Sequence, residues 1–537
     1  MKCLPLWLVF LIACGPISEG PVGFKAPPGP GSAAAKPAAA GDVSIELDKV
    51  PLTGIVFEPV ALSRPGMPLV EPKRKTTLAQ QRSIVANARD PVLRQAQAAV
   101  LATMLYQEAK TDKAKEKDLW TEARQVLRDA AAGAGKDVDE VTIRMLGSYE
   151  LLLEDYAAAE KAWADLIVKN PKDKEVPFHK AWQAFSLFKQ GKYAEALTVL
   201  KGEPLTETQP EQAYVTAWAK WRTGDHPAAW QAIITAAKGW GDNAGKDAVE
   251  FDVMLFAGRL TVPFKQVVPD LFAVFKATQP GPQYDVLAKL GLKSYQFAGR
   301  WIEGVAALEE AFKVIGAQVP PADRPVLRYT QADYTVRLDT PDVAARYAKQ
   351  SLDALAQCPK CSEKDKQDLV SAVAIMARLF HIYYATANDI RYYQPANDLY
   401  ALTIPLIADP ARRQGISADA ETLQKTLKNT KVGTGTHAKD AINVLIGRHH
   451  QEVAACYEAG LVMNPKIGGT IVLTLDSDQT GVIKGVATEP KGGQADMAAV
   501  ASCVADRAKT WNLPKRGMAG TTRVKATFSL SLKPPGK

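Results

Sequence analysis

The 537-residue chain is short of the residue patterns that most catalytic sites need. Histidine and cysteine each occur only 6 times. No Gly-x-Ser-x-Gly elbow is present, and His449-His450 with Glu452 does not make the His-Glu-x-x-His pair of a zinc hydrolase. Those residues read as a partly exposed helix face, and carboxylate pairs such as Glu309-Glu310 read as ordinary helix surface. No second Cys-x-x-Cys or paired histidine joins Cys358-Pro359-Lys360-Cys361 to complete a zinc set. No catalytic residue, metal, cofactor or small-molecule substrate is therefore expected. Long apolar runs are also missing, because beyond the N-terminus no stretch reaches the ~20 residues that cross a bilayer. Nor is there a block of one charge. The 66 basic and 58 acidic residues leave +8 spread along the chain, and Lys73-Arg74-Lys75, the densest basic run, reads as a solvated linker. A nucleic-acid partner is not expected.

What is present starts at the N-terminus. Lys2 supplies a positive charge, and Leu4 to Ile12 is apolar apart from Pro5, a length that suits a signal-peptide core. Leu11-Ile12-Ala13-Cys14 then resembles the lipobox of bacterial lipoproteins. The resemblance implies cleavage before Cys14, lipidation of Cys14 and loss of residues 1–13. Several acyl chains, at about 0.8 kcal/mol per buried CH₂, anchor a protein far more firmly than one. Gly15 after the cysteine implies, by the habit of that family, an outer-membrane lipoprotein facing the periplasm. Export lets disulfides persist, and four further cysteines remain: Cys358, Cys361, Cys456 and Cys503.

Residues 14–75 read as a tether rich in Pro, Ala and Gly, with a weak alternation over Asp42 to Val60 that allows a strand or two. Helical signals persist over residues 76–415. Leu146-Gly147, Tyr156, Ala159, Trp163 and Pro171 resemble the tetratricopeptide (TPR) consensus in order and spacing. Gly191-Lys192-Tyr193 with Ala196, and Gly224-Asp225-His226 with Ala229, look like second and third units. Tyr156, Tyr193 and His226 lie 37 and 33 residues apart. Gly299-Arg300-Trp301 is a more distant copy, and residues 250–285 fit no repeat. Small residues let paired helices approach while large ones fill the gap, and each pair leaves an apolar face for the next pair to cover. The fold class expected is mainly α: a TPR-like helical repeat body followed by a small α+β domain.

Residues 416–437 read as a linker, with Gly433-Thr434-Gly435-Thr436-His437-Ala438 lacking the preceding strand that a dinucleotide site requires. In residues 438–537 a helix over 438–463, strands over 470–475 and 482–488, a helix over 494–511 and a strand over 522–532 give the order α-β-β-α-β. Asp476, Asp478, Thr480 and Gly481 imitate a calcium loop but sit between strands, so a hairpin turn is expected. Cys456-Tyr457-Glu458, Asn464-Pro465, Gly468-Gly469, Gly481, Cys503, Trp511 and Pro514 resemble the AgmX/PglI C-terminal domain, a TonB-like module of gliding-motility and envelope proteins. Leu513 stands where that family has phenylalanine. In this arrangement Cys456 and Cys503 would tie the two helices together, worth roughly 4 kcal/mol in the chain-entropy model. Cys358 and Cys361 read as a local disulfide between helices.

Together these features point to a lipid-anchored envelope adaptor that binds other proteins through its repeats and its TonB-like domain, in gliding motility or envelope transport. Two alternatives stand beside it. One is a TonB-type energy-coupling component, which needs a membrane helix. The other is a thiol-disulfide oxidoreductase using Cys358 and Cys361.

Overall fold

The computed structural model describes residues 42–62, 67–71, 75–241, 243–260, 262, 266–267, 269–271, 273–274, 295, 299–315, 319, 321–387, 389–429, 439–491, 496–513 and 520–532. Cys14 and the lipobox, Lys73-Arg74, residues 433–438 and Pro514 lie outside them. The chain forms two compact units. The hairpin unit comprises Ile55–Val314 with Glu458–Lys466. The sheet unit comprises the described part of Met1–Gly54 with Ile315–Tyr457 and Ile467–Lys537. Residues 76–415, expected to be the repeat body, contribute to both units.

In the hairpin unit the helices are α1 (Leu78–Asn87), α2 (Pro91–Thr111), α3 (Glu116–Ala134), α4 (Glu140–Leu152), α5 (Tyr156–Lys169), α6 (Val176–Lys189), α7 (Tyr193–Val199), α8 (Pro210–Arg222), α9 (His226–Trp240), α10 (Lys246–Arg259) and α11 (Trp301–Ile315). Local chemistry sets several starts. Thr77 and Gln80 make a capping box on α1, and Asp90, Asp139, Asp155 and Asp225 cap α2, α4, α5 and α9. Helices pair as α2/α3, α4/α5, α6/α7 and α8/α9, and first helices also touch, α2 against α4 and α6 against α8. Small buried residues permit that approach: a Cβ on Gly147 would sit 2.7 Å from the Trp163 ring. Trp163, Trp218 and Trp230 fill the spaces between pairs and are fully buried.

One turn recurs. Glu154, Gly191, Gly224, Gly299 and Asp339 all have left-handed backbone, with φ of 62°, 78°, 82°, 60° and 54°. In each case the next helix begins two residues later, at Tyr156, Tyr193, His226, Trp301 and Pro341. Glycine adopts this conformation freely, whereas Glu154 and Asp339 do so at some cost.

The sheet unit continues the hairpin pattern with α12 (Arg324–Arg337), α13 (Pro341–Ala356), α14 (Glu363–Ala387), α15 (Tyr393–Thr403) and α16 (Pro410–Asn429). Helix α16 runs through positions expected to be linker. It buries only a narrow stripe, including Ile416 and Leu423, so its sequence is too polar to announce a helix. By length and composition α14 is apolar enough to cross a membrane over Glu363–Ala385, contrary to expectation. Val373, Ala377 and Phe380 are core residues, and 61% of that window is buried inside the protein.

The C-terminal order is α17 (Lys439–Arg448), α18 (His450–Met463), β2 (Gly469–Ser477), β3 (Ile483–Lys491), α19 (Asp496–Ala508) and β4 (Thr522–Leu532). The single helix expected over 438–463 is broken at His449. The sheet also holds a fourth strand, β1 (Val43–Gly54), from the segment expected to be tether. Strand order is β1-β4-β2-β3, with β1 parallel to β4 and the other pairs antiparallel. A register shift between Glu46 and Lys49 moves the buried positions from Ile45 and Leu47 to Leu52 and Gly54, which blurs the alternation in the sequence. Val524, Ala526, Phe528 and Leu530 line the buried face of β4.

Candidate functional site

Two assemblies of polar side chains stand out, one in each unit. In the hairpin unit the described stretches 55–62 and 67–71 carry no helix or strand. Pro59 withholds a backbone donor, and the segment lies along the first helices of the hairpins. At its start, the Phe57 carbonyl accepts a hydrogen bond from Arg222 Nη2 at 2.6 Å, and the Phe57 ring lies 4.5 Å from the Arg259 guanidinium. The Glu58 carboxylate pairs with Lys189. Further along, the Ala61 N–H donates to Tyr214 Oη at 3.3 Å and the Val70 N–H donates to Thr103 Oγ1 at 2.9 Å. Thr103 belongs to α2, Lys189 to α6, Tyr214 and Arg222 to α8, and Arg259 to α10. Pro59 and Leu62 are buried, and Met67 and Val70 pack on the apolar cluster around Ala98, Leu101 and Tyr149.

The cations on this face are held by more than the segment. Arg222 Nη1 donates to the Leu461 carbonyl at 3.1 Å and to the Val462 carbonyl, at the end of α18. Its guanidinium carbon lies 5.9 Å from the Phe188 ring and 5.8 Å from the Tyr193 ring. Arg259 pairs with Glu458 at 2.5 Å, both side chains being 9% exposed. Burial raises the Glu458 carboxyl against the opposing charge of Arg259. Behind the face, Tyr214 donates to the buried carboxylate of Asp252, as does Trp218 Nε1 at 3.3 Å. Burial pushes the Asp252 carboxyl up to about 7 despite those donors.

In the sheet unit four charged side chains are buried together. Asp339, at its left-handed turn, accepts hydrogen bonds from Arg448 and, at 3.0 Å, from Tyr392 Oη. His449 Nε2 lies 3.5 Å from Asp339, and His449 Nδ1 lies 3.0 Å from Glu452. Trp511 Nε1 donates to Glu452 at 2.9 Å, and its ring stacks on His449 with centroids 4.2 Å apart. The Arg448 guanidinium covers the Tyr383 ring at 3.6 Å. Burial alone would push Asp339 up, but the His449 hydrogen bond and the charges of Arg448 and His449 hold it down to about 2. Burial would lower His449, but its hydrogen bonds to Asp339 and Glu452 and their charges raise it. The expectation of a partly exposed face at His449, His450 and Glu452 is thus corrected for His449 and Glu452. Helix periodicity puts them on a face, and only the fold shows that α14, Tyr392 and Trp511 close over this cluster.

The sequence-level residues fall as follows. Leu146 is half-buried against the core around Met145, Gly147 abuts Trp163, and Ala159, Trp163, Ala196 and Ala229 are buried. Tyr156 lies 5.6 Å from Lys189 Nζ, Tyr193 rests on Phe188 at 5.0 Å, and Pro171 is an exposed turn residue. Gly191 and Gly224 make left-handed turns, as does Gly481 (φ 85°) in the β2–β3 hairpin. There Asp478 accepts from the Thr480 and Val482 N–H groups and Asp476 pairs with Arg523, so these acids serve the turn and the sheet. Cys456 is bonded to Cys503, and Cys358 to Cys361 in the loop between α13 and α14. Buried Tyr457 donates to the Ile467 carbonyl at 2.8 Å, and half-buried Pro465 follows α18. Glu458 engages Arg259 and Trp511 engages Glu452, whereas Cys14 and Pro514 are outside the described residues. Among the described residues no group of three His, Cys, Asp or Glu side chains is placed to hold a metal.

Lys189, Arg222, Arg259, Tyr214 and Thr103 were not singled out by the sequence. One signal was available: Lys189, Arg222 and Arg337 each stand two residues before the left-handed turn residue, at Gly191, Gly224 and Asp339. A cation recurring with the turn marks the end of α6, α8 and α12, whereas Leu152 and Phe297 hold that position before Glu154 and Gly299.

No family model matches the chain, and no curated protein matches it. Solved structures similar to it include a signal transduction ATPase with numerous domains and a tetratricopeptide repeat sensor, from Pyrococcus horikoshii. That match has 12% identity and a TM-score of 0.19, over 63% of this chain and 56% of that one. A second is Naa15/Naa10 bound to HypK-THB, at 13% identity and a TM-score of 0.17, over 73% of each chain. This chain spans little more than half the length of the first. At these scores neither overlay bears on topology or function, and the helical repeat fold rests on the hairpins described above.

Proposed function

We propose that this chain is a non-enzymatic, lipid-anchored adaptor of the bacterial cell envelope, which holds other proteins on the first-helix face of its repeats. The observation that carries this reading is the row of Thr103, Lys189, Tyr214, Arg222 and Arg259, which engages the backbone and a carboxylate of the irregular stretches 55–62 and 67–71. Recognition of this kind reads main chain for affinity and side chains for specificity. Two disulfides accord with an oxidising compartment, and the lipobox-like Leu11 to Cys14 supplies the anchor. The AgmX/PglI-like motifs add a second module. Strand addition there would use β1 or β3, the outer strands of the sheet, because β1 already covers the edge of β4.

The test is differential capture from detergent-solubilised envelopes with tagged full-length chain. Wild type should retain a defined set of proteins that a Lys189→Glu/Arg259→Glu variant of equal helix content loses. Identical retention by both would remove the face from the function. Radiolabelled palmitate should enter wild type and not Cys14→Ala, and equal labelling would remove the anchor.

A further inference from the structure

We propose that Ile55–Leu62 is a resident, displaceable ligand of the first-helix face, and that the partner competing for this face is an extended peptide bearing an aromatic residue followed by a carboxylate. The inference rests on the adaptor reading and specifies its ligand. The segment makes no regular structure of its own, so the face dictates its path. Its recognition elements are consecutive: the Phe57 ring on Arg259, the Phe57 carbonyl on Arg222, the Glu58 carboxylate on Lys189, and Pro59 buried beyond them. Three cations on one face select an acid there and disfavour a base.

Two features make the segment replaceable. Its grip is divided among separate handles: the ion pair of Glu58, whose side chain is 51% exposed, holds little, whereas Pro59 and Leu62 are buried and the Ile55 N–H donates to Glu458. Ile55 and Val60 are exposed as well. The receptor side, by contrast, is supported without it. When Phe57 and Glu58 leave, Arg222 keeps the Leu461 and Val462 carbonyls and Arg259 keeps Glu458. The two buried arginines therefore stay paired, while Lys189 gives up Glu58, keeps the Tyr156 ring, and offers its charge to the acid of a second chain. Because the resident segment is covalently attached, its effective concentration is on the order of millimolar, and a partner meets a face whose free fraction is small.

The experiment uses full-length protein and a fluorescent peptide with the sequence of Gly54–Leu62. Phe57→Ala/Glu58→Lys in the protein should raise its affinity for the peptide about tenfold over wild type, because the competitor is weakened. Adding Lys189→Glu should erase the gain, and a peptide carrying Glu58→Lys should restore it. Equal affinity of wild type and the double variant, with helical circular dichroism unchanged, would overturn the proposal. So would loss of the helical fold in the double variant, which would make the segment a structural cover. Peptide exchange without capture of any envelope protein supports the internal ligand and sinks the adaptor reading. Capture without peptide exchange leaves the adaptor reading and ends this proposal.

Discussion

Asp252 in the hairpin unit and Asp339 in the sheet unit are both buried aspartates among helical hairpins, yet they are driven in opposite directions. Asp252 receives two neutral donors, Tyr214 and Trp218, and burial takes it up to about 7. Asp339 receives Arg448 and His449 and is held at about 2. Neutral hydrogen bonds ease the removal of a carboxylate from water without repaying it, whereas adjacent cations more than repay it. One site keeps a carboxyl ready to take up a proton near neutrality. The other locks a charge in place and with it the junction of α12/α13, α14, α15 and α17.

The largest effect should come from removing the cation that makes the difference. Arg448→Met leaves Asp339 and Glu452 buried with only His449 between them, and breaking such a buried pair costs about 3–5 kcal/mol in denaturant unfolding. Adding Asp339→Asn should recover part of that loss, because the stranded charge is gone. If Arg448→Met unfolds like wild type, the cluster is not what separates the two aspartates.

Next in size is the pH dependence of stability. Asp252 has a raised pKa, so its contribution is fully present below the ordinary carboxylate value of ~4 and is lost as pH rises through about 7. His449, also raised, contributes below its ordinary ~6.5 and loses that as pH rises through its folded value. Asp339, lowered, contributes above ~4 and loses that as pH falls through about 2. Stability should therefore peak near pH 4 and decline from there through about pH 7. Asp252→Asn should flatten the decline between about pH 4 and 7 by up to ~4 kcal/mol, at about 1.4 kcal/mol per pKa unit. A decline of equal steepness in that variant would assign it elsewhere.

How much of this was legible depends on what each feature asks of its neighbours. The hairpin rhythm was visible because Gly191, Gly224, Ala196, Ala229 and Trp163 answer local demands of turn and close approach. The strands β2 and β4 were visible because alternation needs one apolar face only. Strand β1 was nearly hidden, since one register shift reverses its alternation and its partner β4 lies at the far end of the chain. The cluster at Asp339 could not be assembled from the sequence: Trp511, His449 and Glu452 were noticed for other reasons, and Tyr383, Tyr392 and Arg448 are each ordinary in their own window. The first-helix face failed for the same reason, because Phe57 and Glu58 meet Arg222, Arg259 and Lys189 only after folding.

A smaller effect sharpens the role of neutral donors inside the charged site. Trp511→Phe keeps a ring over His449 but removes the N–H that reaches Glu452. A hydrogen bond to a charged group contributes about 1.5–3 kcal/mol, so the loss should fall in that range, with the His449 contact to Glu452 kept. An NMR titration of the His449 ring should show its pKa still raised, since Asp339 and Glu452 remain. A fall to the ordinary histidine value would mean that the indole, not the carboxylates, holds the proton there.

The smallest effect asks whether the left-handed turn itself makes Asp339 unusual. Gly224 occupies the corresponding turn in another hairpin, with φ 82° and no atom within 4 Å of an added Cβ. Gly224→Asp should cost about 1 kcal/mol or slightly more for the backbone alone, since aspartate tolerates this region better than most residues. Its carboxylate is exposed, so the stability of the variant should follow wild type in parallel at every pH. A parallel curve assigns the depressed pKa of Asp339 to Arg448 and His449. A curve that bends below pH 4 would show that the turn's own backbone amides suffice to hold the charge, and the comparison between the two aspartates would then be one of local backbone rather than of partners.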